Sequence, residues 1–116
     1  MSDVTIFHNP NCGTSRNTLA LLREKGVEPK VVEYLKVGWT KDQLKDLFGQ
    51  MGVSAHDALR VRGTNAHELG LTDPAASDDA VIAAMIIDPV LVERPIVESP
   101  KGVRLCRPAE LVRELL

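Results

Sequence analysis

Along the chain the spacing of apolar residues is strand-like, then helical, then strand-like again. Val4-Thr5-Ile6-Phe7 is a short run bounded by His-Asn-Pro-Asn, which predicts a strand ended by a turn. "TSRNTLALLREKG" follows, with Thr14 or Ser15 to cap it, Leu19 and Leu22 three apart and Gly26 to stop it, which predicts a helix. "KVVEYL", Lys30 to Leu35, reads as a second strand, so the opening stretch spans the roughly thirty residues of a βαβ unit.

In the middle, Thr40 and Gln43 form a capping box before Leu44, Leu47, Phe48 and Met51, which share one helical face, and Gly52 ends that helix. Short helical pieces are expected at "SAHDAL" and "AHELGL". Ser77 caps a further helix with Ile82, Met85 and Ile86 on its apolar side, closed by Asp88-Pro89. No sheet strand is expected from Val37 to Glu93. In the last part "PIVES" and "GVRLC" flank Pro100-Lys101-Gly102 and predict an antiparallel hairpin. Pro108 then stands at the first position of a closing helix with Leu111, Val112 and Leu115 inward.

The order is βαβ, a helical insert at about residues 37–93, then ββα. An α/β domain with a mixed sheet is one compact solution for that order, and it is the layout of thioredoxin-like folds. A length of 116 residues suits one domain covering residues 1–116.

Composition removes several function classes. Aromatic residues are 3% of the chain, too few for base stacking, and a net charge of -2 gives no basic field for nucleic acid or an anionic membrane. No leader-like segment and no membrane-length apolar run is visible, so a cytoplasmic monomer is expected. Two cysteines without C-x-x-C or zinc spacing predict neither a disulfide framework nor a metal.

The chemistry concentrates at Cys12, in the turn between the first strand and helix. A helix start offers free N–H groups and a partial positive charge to a thiolate. Gly13 lets backbone approach a bound anion, Thr14 and Ser15 add hydroxyls and N–H groups, and Arg16 and His8 are close enough in sequence to lower the thiol pKa further. The alternative is that Cys12 is a small buried hydrophobe. A thioredoxin-type dithiol needs its second cysteine at position 15, which is Ser15; a low-molecular-weight phosphatase loop needs arginine at position 18, which is Thr18. A one-cysteine centre remains, resolved by a thiol from another molecule such as glutathione. Cys106, at the end of an alternating strand, reads as core packing.

Arg94 and Arg107 each precede a proline, and Arg60 ends the piece "HDALR". Arginine suits tetrahedral oxyanions because its fork is planar and always charged, whereas a single arginine is by default a solvated surface charge, as Arg62 is taken to be. Pro95 stands where thioredoxin-like folds carry a cis-proline facing the active cysteine; otherwise it is a trans proline beginning an edge strand.

"HNPNCGTSRNTL", "EYL", the arginine of "ALR", "LGL" and "RPIV…GVRLCRP" follow one another over nearly the whole chain in the order and spacing of the glutaredoxin-linked arsenate reductase family, which the sequence therefore resembles. The resemblance implies a thioredoxin-like fold with a helical insert and Cys12 as catalytic nucleophile. It also implies that His8 tunes the thiolate, that Arg60, Arg94 and Arg107 hold arsenate, and that glutathione as co-substrate and glutaredoxin as partner complete the cycle. Two rival readings share the fold: a monothiol glutaredoxin holding an iron–sulfur cluster with glutathione, suggested by "CGTS", and a thioredoxin-like regulator that binds RNA polymerase, which Ser15 in place of a second cysteine weakens.

Overall fold

The computed structural model describes residues 3–116. They form two compact units, one built from the chain up to Val37 together with Arg94–Leu116, the other from Gly38–Glu93.

The first unit carries the sheet, in the order β2-β1-β3-β4. Strand β1 (Thr5–His8) pairs parallel with β2 (Lys30–Glu33) across helix α1 (Gly13–Glu24), and antiparallel with β3 (Ile96–Ser99), which pairs antiparallel with β4 (Gly102–Leu105). This is the predicted βαβ then ββα arrangement. Ile6, Val97 and Cys106 meet Leu22 of α1 and Val112 and Leu115 of the closing helix in one core, while alternation turns Phe7 and Ile96 to the opposite face.

Several boundaries differ from the sequence expectation. Helix α1 begins one residue after Cys12, which occupies the N-cap position, so neither Thr14 nor Ser15 is the cap. Strand β2 stops at Glu33 because Tyr34–Val37 turns into a short helix, α2. The closing helix, Ala109–Leu115, is 3-10 rather than α, with Pro108 at its N-cap instead of its first turn. The Arg94-Pro95 bond is cis and precedes β3, an interior strand; the Arg107-Pro108 bond is also cis, which the sequence did not suggest.

In the second unit, helix α3 (Lys41–Met51) has the full Thr40/Gln43 capping box and ends at Gly52 with φ 70°, a left-handed conformation that glycine adopts without steric cost. Helix α4 (Asp78–Ile87) is capped by Ser77, but it buries Val81, Ile82 and Met85 while Ile86 is exposed. Between α3 and α4 the pieces at "SAHDAL" and "AHELGL" are turns, held by contacts such as Ser54 with Asp57 and Thr64 with Arg60. Short polar side chains there satisfy the backbone and compete with helix formation. The only strand-like pairing described in this unit is an isolated bridge, Leu59 with Val92. Among the described residues, no helix is long and apolar enough to cross a membrane.

Candidate active site

The loop after β1 is organised by Asn9, which sequence reasoning passed over. Its side-chain oxygen accepts the Asn11 N–H at 2.9 Å, its carbonyl accepts the Cys12 N–H at 3.0 Å, and its own N–H donates to the Ser15 hydroxyl at 3.0 Å. Asn9 is only 3% exposed, so these bonds replace the water it would otherwise need. The available signal was the Asn-Pro dipeptide followed by a second Asn, an Asx-turn composition. Arg16 closes the loop from outside, donating from Nη1 to the Pro10 carbonyl at 2.9 Å.

Cys12 is thereby fixed in an extended conformation, φ -102° and ψ 121°, at the start of α1, and the residue is 8% exposed. Burial by itself pushes the thiol up; the Ser15 N–H, hydrogen bonding from Arg94 and Arg107, and the Arg94 charge outweigh it, so Cys12 titrates below an ordinary thiol. His8 and Arg16 are not among the groups that lower it. Thr14 is half-buried, and its carbonyl accepts the Thr18 hydroxyl at 2.8 Å. Gly13 is exposed, and a Cβ placed there would meet only Arg16 Nη2, at 3.8 Å.

Ser15, fully buried in the first turn of α1, is pulled inward by His8, whose Nδ1 lies 2.7 Å from the Ser15 hydroxyl. His8 is itself buried at the end of β1, opposite Glu33 on β2. Burial lowers its pKa, Glu33 pulls it back up, and Arg23 and Arg16 add to the lowering. The net lowering makes His8 a neutral partner for Ser15 at pH 7.

The two arginines before prolines converge on the thiol. Arg107 Nη1 lies 3.8 Å from the Cys12 sulfur and donates to the Arg94 carbonyl at 2.9 Å. Arg94, which also lowers the thiol's pKa, has Nε and Nη1 buried without any hydrogen-bond partner. Buried N–H donors without acceptors are rare and costly in folded proteins. Cys12, His8, Gly13, Thr14, Ser15, Arg94 and Arg107 thus all belong to the first unit, and Arg60 to the second. There Arg60 follows the Leu59 bridge instead of ending a helix, and its Nη1 donates to Glu93 at 3.1 Å. Its Nε donates to the carbonyl of Arg62, whose side chain is exposed. Cys106 is fully buried in the core, and burial drives its thiol up to about 12, so it stays protonated.

A thiol at a helix start beside two arginines, on a mixed four-stranded sheet with a cis-proline before β3, defines a protein of thioredoxin-like fold. The ArsC family model matches residues 7–115, and the chain belongs to the ArsC family. It is 50% identical over 113 residues to the arsenate reductase of Rhizobium meliloti, covering 97% of this chain and 81% of that protein. To the arsenate reductase of Escherichia coli K12 it is 47% identical over 116 residues, covering 100% of this chain and 82% of the relative. The solved arsenate reductase from Vibrio cholerae superposes with a TM-score of 0.92 at 43% identity, covering 97% of each chain.

Proposed function

We propose that this chain reduces arsenate to arsenite, with Cys12 as the nucleophile and glutathione and glutaredoxin as reductants. The observation that carries the reading is the pair of buried, acceptor-free N–H donors on Arg94 beside a thiol of lowered pKa. Donors held in that state are aimed at an acceptor that arrives with the substrate, and a tetrahedral oxyanion offers several. The relatives named as arsenate reductases supply the choice of arsenate.

In the proposed cycle, Arg94 and Arg107 neutralise the bound arsenate, with the Gly13, Thr14 and Ser15 turn closing around it. The Cys12 thiolate bonds to arsenic and one arsenate oxygen leaves as water after protonation. Glutathione then bonds to the Cys12 sulfur. The sulfur–arsenic electron pair stays with arsenic, which leaves as arsenite, and the two thiols have supplied two electrons as a Cys12–glutathione disulfide. Glutaredoxin attacks the glutathione sulfur and releases the Cys12 thiolate, which answers the lack of a resolving cysteine at position 15. His8 acts through Ser15 by holding the first turn of α1. No metal or bound cofactor enters, and a cytoplasmic glutathione pool suffices.

The test is arsenate-dependent NADPH oxidation coupled through glutathione reductase and glutaredoxin. Turnover is expected to need glutathione, glutaredoxin and Cys12 together. Arsenite production by Cys12→Ser, or full turnover without glutathione, would overturn the scheme.

A further inference from the structure

Asn9 is the first residue after β1, a strand whose register is fixed on both sides by β2 and β3. The next three residues carry the chain from that strand to the thiol. Pro10 fixes its own φ and disfavours helical backbone at Asn9. The Asn9 carbonyl accepts the Cys12 N–H at 3.0 Å, which closes a four-residue turn with Asn9 at its first position and Pro10 at its second. Both residue types are preferred at those places. Positive φ is confined to glycines among the described residues, so Asn11 does not take the left-handed conformation that a type II turn needs.

The Asn9 side chain closes a second ring on the same turn, its Oδ1 accepting the Asn11 N–H at 2.9 Å. On the far side of Cys12 the Asn9 N–H donates to the hydroxyl of Ser15, in the first turn of α1, at 3.0 Å. One residue thus holds the chain both before and after the thiol. Burial raises the Cys12 pKa, and the Ser15 N–H is foremost among the groups that outweigh it, so the placement of Cys12 against Ser15 matters to the sulfur. Asn9 is also 3% exposed, which favours a neutral acceptor: a carboxylate there would lose its hydration and oppose the thiolate by charge.

We propose that Asn9 is a positioning residue for Cys12: it ties the end of β1 to residues 11, 12 and 15 and so sets the sulfur against the start of α1 and Arg107. The inference rests on the reading of Cys12 as nucleophile. Asn9 touches no substrate in this role. Its effect falls on the attack by sulfur, while anion binding stays with Arg94 and Arg107.

Asn9→Ala removes the Oδ1 acceptor and loosens the turn. With glutathione and glutaredoxin saturating, it is expected to lower kcat for arsenate about tenfold and to leave KM within about twofold, because a displaced nucleophile costs rate rather than ground-state binding. The midpoint of Cys12 alkylation by iodoacetamide against pH is expected to move upward, a readout that a merely stabilising residue leaves alone. Asn9→Ser offers a shorter neutral acceptor to the same N–H and is expected to recover part of both losses. Thermal melts establish that each variant is folded at the assay temperature. The proposal is overturned if folded Asn9→Ala keeps the wild-type midpoint and kcat, if KM alone rises, or if Asn9→Ser is no better than Asn9→Ala. Should Asn9→Ala not fold, Asn9→Ser is read against the wild type by the same two measurements: a smaller shift in the same directions is expected, and no shift overturns the proposal. Arsenite production by Cys12→Ser would remove the nucleophile reading and the positioning role with it. An inactive Cys12→Ser beside an unaltered Asn9→Ala removes the positioning role alone.

Discussion

Arg107 places one guanidinium nitrogen 3.8 Å from the sulfur of Cys12 while donating from the same nitrogen to the Arg94 carbonyl at 2.9 Å. The two hydrogens of Nη1 have separate tasks: one anchors the side chain to fixed backbone, the other faces the thiol. The positive charge is therefore held beside the sulfur, where it favours the thiolate most.

The first prediction follows from that anchoring. The rate of Cys12 alkylation by iodoacetamide, measured against pH, is expected to rise with a midpoint below that of an ordinary thiol, because the lowered pKa leaves more thiolate at a given pH. Arg107→Ala and Arg94→Ala should each move the midpoint upward. Cys106 does not contaminate the profile, since its thiol is held up to about 12. A midpoint unmoved in both variants would assign the whole effect to the Ser15 N–H and the start of α1.

Arg94→Ala is expected to separate activity from stability. Loss of a charged hydrogen bond to substrate costs about 1.5–3 kcal/mol, or roughly tenfold or more in kcat/KM for arsenate. Yet the Nε and Nη1 of Arg94 are buried without partners, so removing them also removes an unfavourable desolvation. The melting temperature should hold or rise while activity falls, the trade-off expected of a group kept for function. A melting temperature that drops along with activity would mean that Arg94 is chiefly structural.

Much of the fold was legible because the two hydrophobic periods switch cleanly, at "HNPNCG" and again at "RPIV". The misreadings have identifiable causes. Ser15 looks like a helix cap, but a cap is defined by backbone position, and the His8 hydrogen bond draws Ser15 inside the first turn instead. The apolar run "VIAAMII" offers no polar face, so spacing alone did not choose between Val81 and Ile86. At the site, the exposed-looking polar turn around Cys12 could be read locally, since it depends on neighbours in sequence. The meeting of Arg94 and Arg107 on the sulfur depends on β3 lying beside β1, a pairing between residues about ninety apart, and no local spacing encodes it.

The last prediction concerns the other thiol and the alkaline limit of stability. Cys106 is fully buried among Val4, Ile6, Leu22, Val97, Val112 and Leu115, and its thiol donates weakly to the Arg104 carbonyl at 3.7 Å. Burial raises its pKa from 9.0 to about 12, with the Arg104 charge lowering it and Glu114 raising it to smaller extents. Above pH 9 the unfolded chain loses this proton while the folded chain keeps it. The unfolded state then binds fewer protons, so stability falls as pH rises, by at most about 1.4 kcal/mol per pH unit, until the folded thiol also ionises. Below pH 9 the full contribution is present. Cys106→Ala should lack this component and lose about 1 kcal/mol near neutrality to the small cavity left behind. Urea unfolding of both proteins under reducing conditions, between about pH 8 and pH 10.5, isolates the difference, because lysines and tyrosine titrate in both. Converging stability curves as pH rises are the expected result, and parallel curves would mean that the Cys106 thiol does not resist ionisation in the fold. Turnover of Cys106→Ala should match that of the wild type throughout.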